Sequence, residues 1–121
     1  MQRELRILVV DDESAVAQCL SLVLDQPGRK FATACNGKEA LTRIAAEHFD
    51  VVITDHKMPV LCGLELVQRL REQNFKGKIV VLSAHLSNDN IRAYTNLRVD
   101  EILHKPFDLD QLRRVIDDLA G

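Results

Sequence analysis

Three short apolar runs, Ile7–Val10, Val51–Thr54 and Ile79–Leu82, constrain this chain more than any other feature. Each is rich in Ile and Val and lacks the apolar–polar alternation of a strand with one wet face. Continuous β-branched runs of this kind fit strands buried on both faces, the pattern of a parallel sheet covered by helices. Phe31–Ala34 and Glu101–His104 are weaker strand candidates.

Helical patterns lie between the runs. Ser14–Leu24 carries Ala15, Val16, Cys19, Leu20, Val23 and Leu24 at close to i, i+4, i+8 spacing. Lys38–Ala46 repeats Ala40, Leu41, Ile44 and Ala45, with Asn36 and Glu39 in capping-box spacing at its start. Gly63–Glu72 presents Leu64, Leu66, Val67 and Leu70, and Asn88–Asn96 is the least apolar helix. Asp108–Ala120 opens with Asp108 and Gln111 in capping-box spacing and is expected to bury Leu109, Leu112, Val115, Ile116 and Leu119. Breaks fall at Pro27-Gly28, Asn36-Gly37, Pro59, Gly77 and Pro106. Strand and helix thus alternate five times, which predicts an α/β fold with an open parallel sheet between two helical layers. A closed eight-fold barrel, which needs roughly 200 residues or more, does not fit 121.

That length buries roughly two-thirds of the extended chain's surface, enough for one core, so residues 1–121 read as one domain. Sixteen basic and eighteen acidic residues leave a net charge of −2, which offers no general attraction for nucleic acid or an anionic membrane. No apolar run reaches the ~18–20 residues of a membrane span. The run after the charged Met1–Arg6 segment is too short for a signal-peptide core. Cys19, Cys35 and Cys62 form no CxxC and read as reduced, buried or half-buried small hydrophobes of a cytoplasmic protein. Histidines 48, 56, 85 and 104 lack metal-ligand spacing, and His56, following Asp55 at a strand end, is expected to face the other way. No glycine-rich nucleotide loop of the P-loop or dinucleotide-binding type occurs.

In open α/β sheets, function collects outside the carboxyl ends of the strands. Here those ends carry Asp11-Asp12-Glu13, Asp55, Ser83-Ala84 and His104-Lys105-Pro106. Taken singly, each is an ordinary loop or cap residue. Together they bring carboxylates, a hydroxyl and an amine to one edge. Clustered carboxylates are unfavourable alone and become reasonable around a hard divalent cation such as Mg²⁺. The Lys105 amine adds a point charge suited to a phosphoryl oxygen. The constellation describes phosphoryl chemistry on a carboxylate.

The strings Val9-Val10-Asp11-Asp12-Glu13, Asp55-His56-Lys57-Met58-Pro59 with Gly63 beyond, Ser83-Ala84 and Lys105-Pro106-Phe107 resemble the receiver domain of two-component response regulators across essentially the whole chain. The resemblance implies a flavodoxin-like (CheY-like) three-layer sandwich with strand order 2-1-3-4-5 and a cis peptide at Lys105-Pro106. It implies that Asp55 accepts a phosphoryl group from a sensor histidine kinase, a phosphotransfer protein or a small phosphodonor. Asp12 would ligate Mg²⁺ directly, Asp11 mainly through water, and Asp55 and the Lys57 backbone carbonyl would complete the protein's share of the shell. Lys105 and Ser83 would contact the phosphoryl group. The face formed by Asn88–Asn96, Glu101–His104 and Asp108–Ala120 would carry the signal to an output domain or a second copy.

Some positions depart from the family pattern. Ile102 stands where an aromatic ring is common, and Arg98-Val99 where Gly-Ala is usual, which predicts a reshaped helix end there. Lys57 and His85 flank the acceptor and are expected to tune the lifetime of the acyl phosphate. Two other readings compete. A receiver-like module that binds without taking phosphate is compatible with Ile102 and Arg98-Val99. An aspartyl-nucleophile, Mg²⁺-dependent phosphatase wants a second Asp two residues after the nucleophile, where this chain has Lys57.

Overall fold

A computed structural model describes residues 4–58 and 60–120. The break expected at Pro59 lies outside the described residues. Each apolar run forms a strand: β1 (Leu5–Val10), β3 (Val51–Asp55) and β4 (Lys78–Ser83). The weaker candidates become β2 (Arg29–Ala34) and β5 (Glu101–His104). All pairings are parallel, in the order β2-β1-β3-β4-β5, the order expected. The helices are α1 (Ser14–Leu24), α2 (Gly37–Ala46), α3 (Gly63–Glu72), α4 (Asn88–Asn96) and α5 (Leu109–Ala120).

Alternation along the strands divides the interior into two cores. Leu8, Val10, Val52, Ile79 and Val81 face Ala40 of α2, Leu66, Val67 and Leu70 of α3 and Tyr94 of α4. Ile7, Val9, Val51, Ile53, Val80 and Leu82 face Ala17, Leu20 and Leu24 of α1 and Leu112 and Ile116 of α5. Burial on both sides explains why the central strands carry no polar alternation. At ~1.5–3 kcal/mol for each fully buried aliphatic side chain, these two layers are the main stabilising contribution.

Several helix faces differ from the sequence expectation. The buried stripe of α1 is Ala17, Leu20 and Leu24, so Ala15 and Cys19 point outward. Cys35 is also exposed and Cys62 half-buried, which corrects the reading of Cys19 and Cys35 as interior hydrophobes. The Glu39 carboxylate accepts from the Cys35 thiol at 2.8 Å and pushes that thiol up from its ordinary pKa, an unreactive setting. Leu109, expected inside, is 39% exposed at the first residue of α5, because the helix meets the sheet only from Leu112 onward. The caps use the expected residues, and only the partner of Asp108 differs. Asn36 accepts from the Glu39 N–H at 2.8 Å, while Asp108 accepts from the Asp110 N–H rather than that of Gln111.

The departure at Arg98-Val99 also has a structural form. Arg98 adopts a left-handed backbone with φ of 62°, just past the Leu97 cap of α4. The Arg71 guanidinium of α3 compensates this helix end, donating to the carbonyl oxygens of Leu97 at 2.8 Å, Arg98 at 2.9 Å and Phe75 at 2.9 Å.

Candidate functional site

Strand register decides what meets at the carboxyl edge. Val10 of β1 lies opposite Thr54 of β3, Asp55 opposite Leu82, and Ser83 opposite His104. The residues immediately beyond β1 and β5 therefore reach the same edge as Asp55 and Ser83. Asp11, Asp12 and Asp55 each bring a carboxylate oxygen within 4.8 Å of the other two. Among the described residues, theirs is the sole such cluster of candidate metal ligands. A cleft of about 770 Å³ opens above, lined by Asp12, Asp55, Lys57, Ser83, His85 and Lys105 among others.

The Lys105 Nζ lies 3.4 Å from Asp55 Oδ1. That oxygen also accepts the His56 backbone N–H at 2.9 Å. The Lys105 N–H donates to the Ser83 carbonyl at 2.7 Å, and the peptide to Pro106 is cis, as the family resemblance implied. Ser83 is buried, and its hydroxyl donates to the His85 carbonyl at 3.1 Å. Lys57 and His85 are exposed at the cleft, whereas Ile102 is half-buried and packs against the α2–α3–α4 core.

The charge balance is uneven. Burial pushes the Asp11 carboxyl above the ordinary carboxylate value of 3.8, and neighbouring Asp55 and Asp12 push it further. The Glu13 N–H, donating to Asp11 Oδ1 at 2.9 Å, and the Lys105 charge pull it down without cancelling the rise. An excess of hard oxygen donors beside one lysine suits a small divalent cation, and Mg²⁺ takes such carboxylates together with waters and phosphate oxygens. The residues present therefore fit that ion.

His56 does turn away from the carboxylates. Its Nδ1 meets the Tyr94 hydroxyl at 2.5 Å, and its Nε2 lies 3.4 Å from the Asn90 side-chain amide. Tyr94 falls within Asn88–Asn96 of the expected signalling face, yet it is wholly buried. Burial raises the Tyr94 phenol above its ordinary pKa and lowers the His56 imidazole below its own. The helical spacing of Ile91 and Tyr94 on an otherwise polar helix was the available signal. Gly63 belongs to the motif, but its steric role is visible only in the fold. A Cβ there would stand 2.5 Å from the Asp55 carbonyl, 2.9 Å from His56 Cα and 2.9 Å from the Tyr94 hydroxyl. Only glycine lets α3 start this close to the end of β3.

Similarity to known proteins follows the same lines. The response regulator receiver domain family matches residues 7–117. Response regulator MprA of Mycolicibacterium vanbaalenii is 40% identical over 107 residues, 88% of this chain and 46% of that protein. Sporulation initiation phosphotransferase F of Bacillus subtilis is 29% identical over 111 residues, 92% of this chain and 90% of that protein. The structure of response regulator TrrA from Thermotoga maritima, in complex with Mg(2+)-BeF, aligns with a TM-score of 0.82 and 34% identity over 95% of this chain and 98% of that one. The chain thus spans about half the length of MprA and nearly all of phosphotransferase F. By sequence match, sheet order and the acidic edge together, the chain belongs to the response regulator receiver domain family.

Proposed function

We propose that this chain is a phosphorylation-activated switch that takes a phosphoryl group onto Asp55 from the phosphohistidine of a sensor kinase or phosphotransfer protein. The carrying observation is the Lys105 ammonium 3.4 Å from Asp55 Oδ1, at the mouth of a cleft where Asp11 and Asp12 converge. A carboxylate oxygen of Asp55 forms the new O–P bond as the donor's N–P bond breaks, and that electron pair returns to the imidazole nitrogen. Lys105 meets a phosphoryl oxygen and offsets the charge spread over the equatorial positions. Ser83 exchanges its bond to the His85 carbonyl for the new phosphoryl acceptor. Asp11, Asp12, Asp55 and the Lys57 backbone carbonyl would hold Mg²⁺, which when bound would supply further neutralisation of the transferring group.

The name of phosphotransferase F and the Mg(2+)-BeF complex of TrrA support this assignment by similarity. We place the domain, residues 1–121, in the cytoplasm. Lys57 and His85 tune the adduct's lifetime, and Ile102 repacks during the switch. The face of α4, β5 and α5 is the output surface, toward an appended domain or a second copy. Among the described residues no helix is long and apolar enough to cross a membrane.

Intact-mass analysis after incubation with Mg²⁺ and phosphoramidate tests the reading. One metal-dependent phosphoryl adduct is expected, absent in Asp55→Asn. No adduct and no beryllofluoride binding would leave a binding-only module. Rapid phosphomonoester turnover without a lasting adduct would point to the phosphatase.

A further inference from the structure

His56 joins two contacts that have no local reason to belong together. Its backbone N–H is shared between Asp55 Oδ1 at 2.9 Å and the Leu82 carbonyl of β4 at 3.0 Å, while its ring holds Tyr94 and Asn90 of α4. Those two residues lie four apart on the same helix, so one imidazole grips α4 at two points one turn apart. Tyr94 is also the buried residue of α4, and its hydroxyl fills the space left by the missing side chain of Gly63. The Gly63 N–H donates to the His56 carbonyl at 2.8 Å, so the start of α3 holds the same residue from behind.

We propose that His56 and Tyr94 couple the state of Asp55 to the position of α4, an inference that rests on the phosphorylation reading above. Phosphorylation turns the Asp55 carboxylate into a mixed anhydride and leaves the negative charge on the phosphoryl oxygens. The shared His56 N–H then loses its charge-assisted bond, which is roughly twice as strong as a neutral one, and turns toward its remaining acceptor, the Leu82 carbonyl. The His56 peptide shifts, and the rigid contact of its ring with the Tyr94 hydroxyl carries that shift into the helix. Because Tyr94 is enclosed by packed backbone at Gly63, it responds by moving between discrete packings rather than by sliding. The rings meet edge to face, with centroids 5.5 Å apart, which keeps the imidazole orientation tied to the phenol.

The chain contains one tyrosine and no tryptophan, so tyrosine emission reports on Tyr94 directly. The test adds Mg²⁺ and beryllofluoride, as the phosphoryl stand-in, to the wild type, Tyr94→Phe and His56→Phe. Bound fluoride is followed by ¹⁹F NMR, α4 by its backbone amide shifts, and Tyr94 by its emission. In the wild type, α4 amides and Tyr94 emission should both change on binding. In Tyr94→Phe, beryllofluoride still binds, and the α4 shift changes should fall to less than half. In His56→Phe at saturation, the emission response should vanish. Coupling is reciprocal, so Tyr94→Phe should also alter beryllofluoride affinity by roughly two- to tenfold, the worth of about one hydrogen bond.

A purely structural contact would lower the melting temperature of Tyr94→Phe yet leave its affinity and α4 response at wild-type values. That result overturns the coupling and leaves phosphorylation of Asp55 standing. Absence of bound beryllofluoride in the wild type would instead overturn the phosphorylation reading and the coupling with it.

Discussion

Asp11→Asn should stabilise the metal-free protein, although it removes a residue from the centre of the site. Asp11 is 4% exposed and shares a cluster with Asp55 in which the carboxylate oxygens lie within 4.8 Å. At that separation and an effective dielectric of ~20, two like charges repel by about 3 kcal/mol. Attraction between Asp11 and Lys105 offsets part of this, while burial of the carboxylate adds to the penalty. A net gain of ~1–2 kcal/mol follows, or roughly 3–8 °C in melting temperature for a chain of this size. Asparagine keeps the bond from the Glu13 N–H, because its carbonyl oxygen occupies the same place.

The effect has a defined pH dependence. The native Asp11 carboxyl is shifted upward, so its contribution to stability is complete below the unfolded value of about 4 and is lost as pH rises through the native value. Wild type and Asp11→Asn should therefore converge in acid and separate near neutrality. Mg²⁺ works against this ranking. At ten times its dissociation constant the ion stabilises the wild type by about 1.4 kcal/mol, and the variant, short of one carboxylate, gains much less. Circular-dichroism melts at pH 4 and 7.5, each with EDTA and with Mg²⁺, give all the comparisons. An Asp11→Asn protein that melts no higher than wild type at pH 7.5 in EDTA would refute the electrostatic reasoning, and an equal Mg²⁺ gain would refute the metal assignment.

Two further substitutions probe the frame around the site. Arg98→Gly should raise stability by about 1 kcal/mol, because glycine adopts the left-handed backbone there freely and leaves the carbonyl that Arg71 holds in place; an unchanged or lower urea midpoint would count against this. Gly63→Ala should cost ~2–4 kcal/mol and suppress adduct formation, since its Cβ would drive into the Asp55 carbonyl 2.5 Å away; a folded variant with the wild-type melting temperature and normal phosphorylation would contradict the close approach.

Much of this molecule was legible in order of sequence. Unbroken Ile and Val runs specify doubly covered strands, whose carboxyl ends can be counted off residue by residue, so the gathering of Asp11, Asp12, Asp55, Ser83 and Lys105 follows once the strands align. Local spacing also placed the limits of α1, α3, α4 and β5. It failed where a side chain's fate depends on a partner far along the chain. Cys19 and Leu109 are apolar enough for a core, but the rotation of α1 and the point where α5 meets the sheet leave them outside. The Arg98 helix end is braced by Arg71, 27 residues earlier, and no local rule connects them. Tyr94 reaches His56 across 38 residues, through a gap that exists because Gly63 carries no side chain. Periodicity and turn chemistry are set by neighbours in sequence and can be read there; the pairing of one buried hydroxyl with one imidazole is set by how two helices and a strand end pack, which only the folded structure decides.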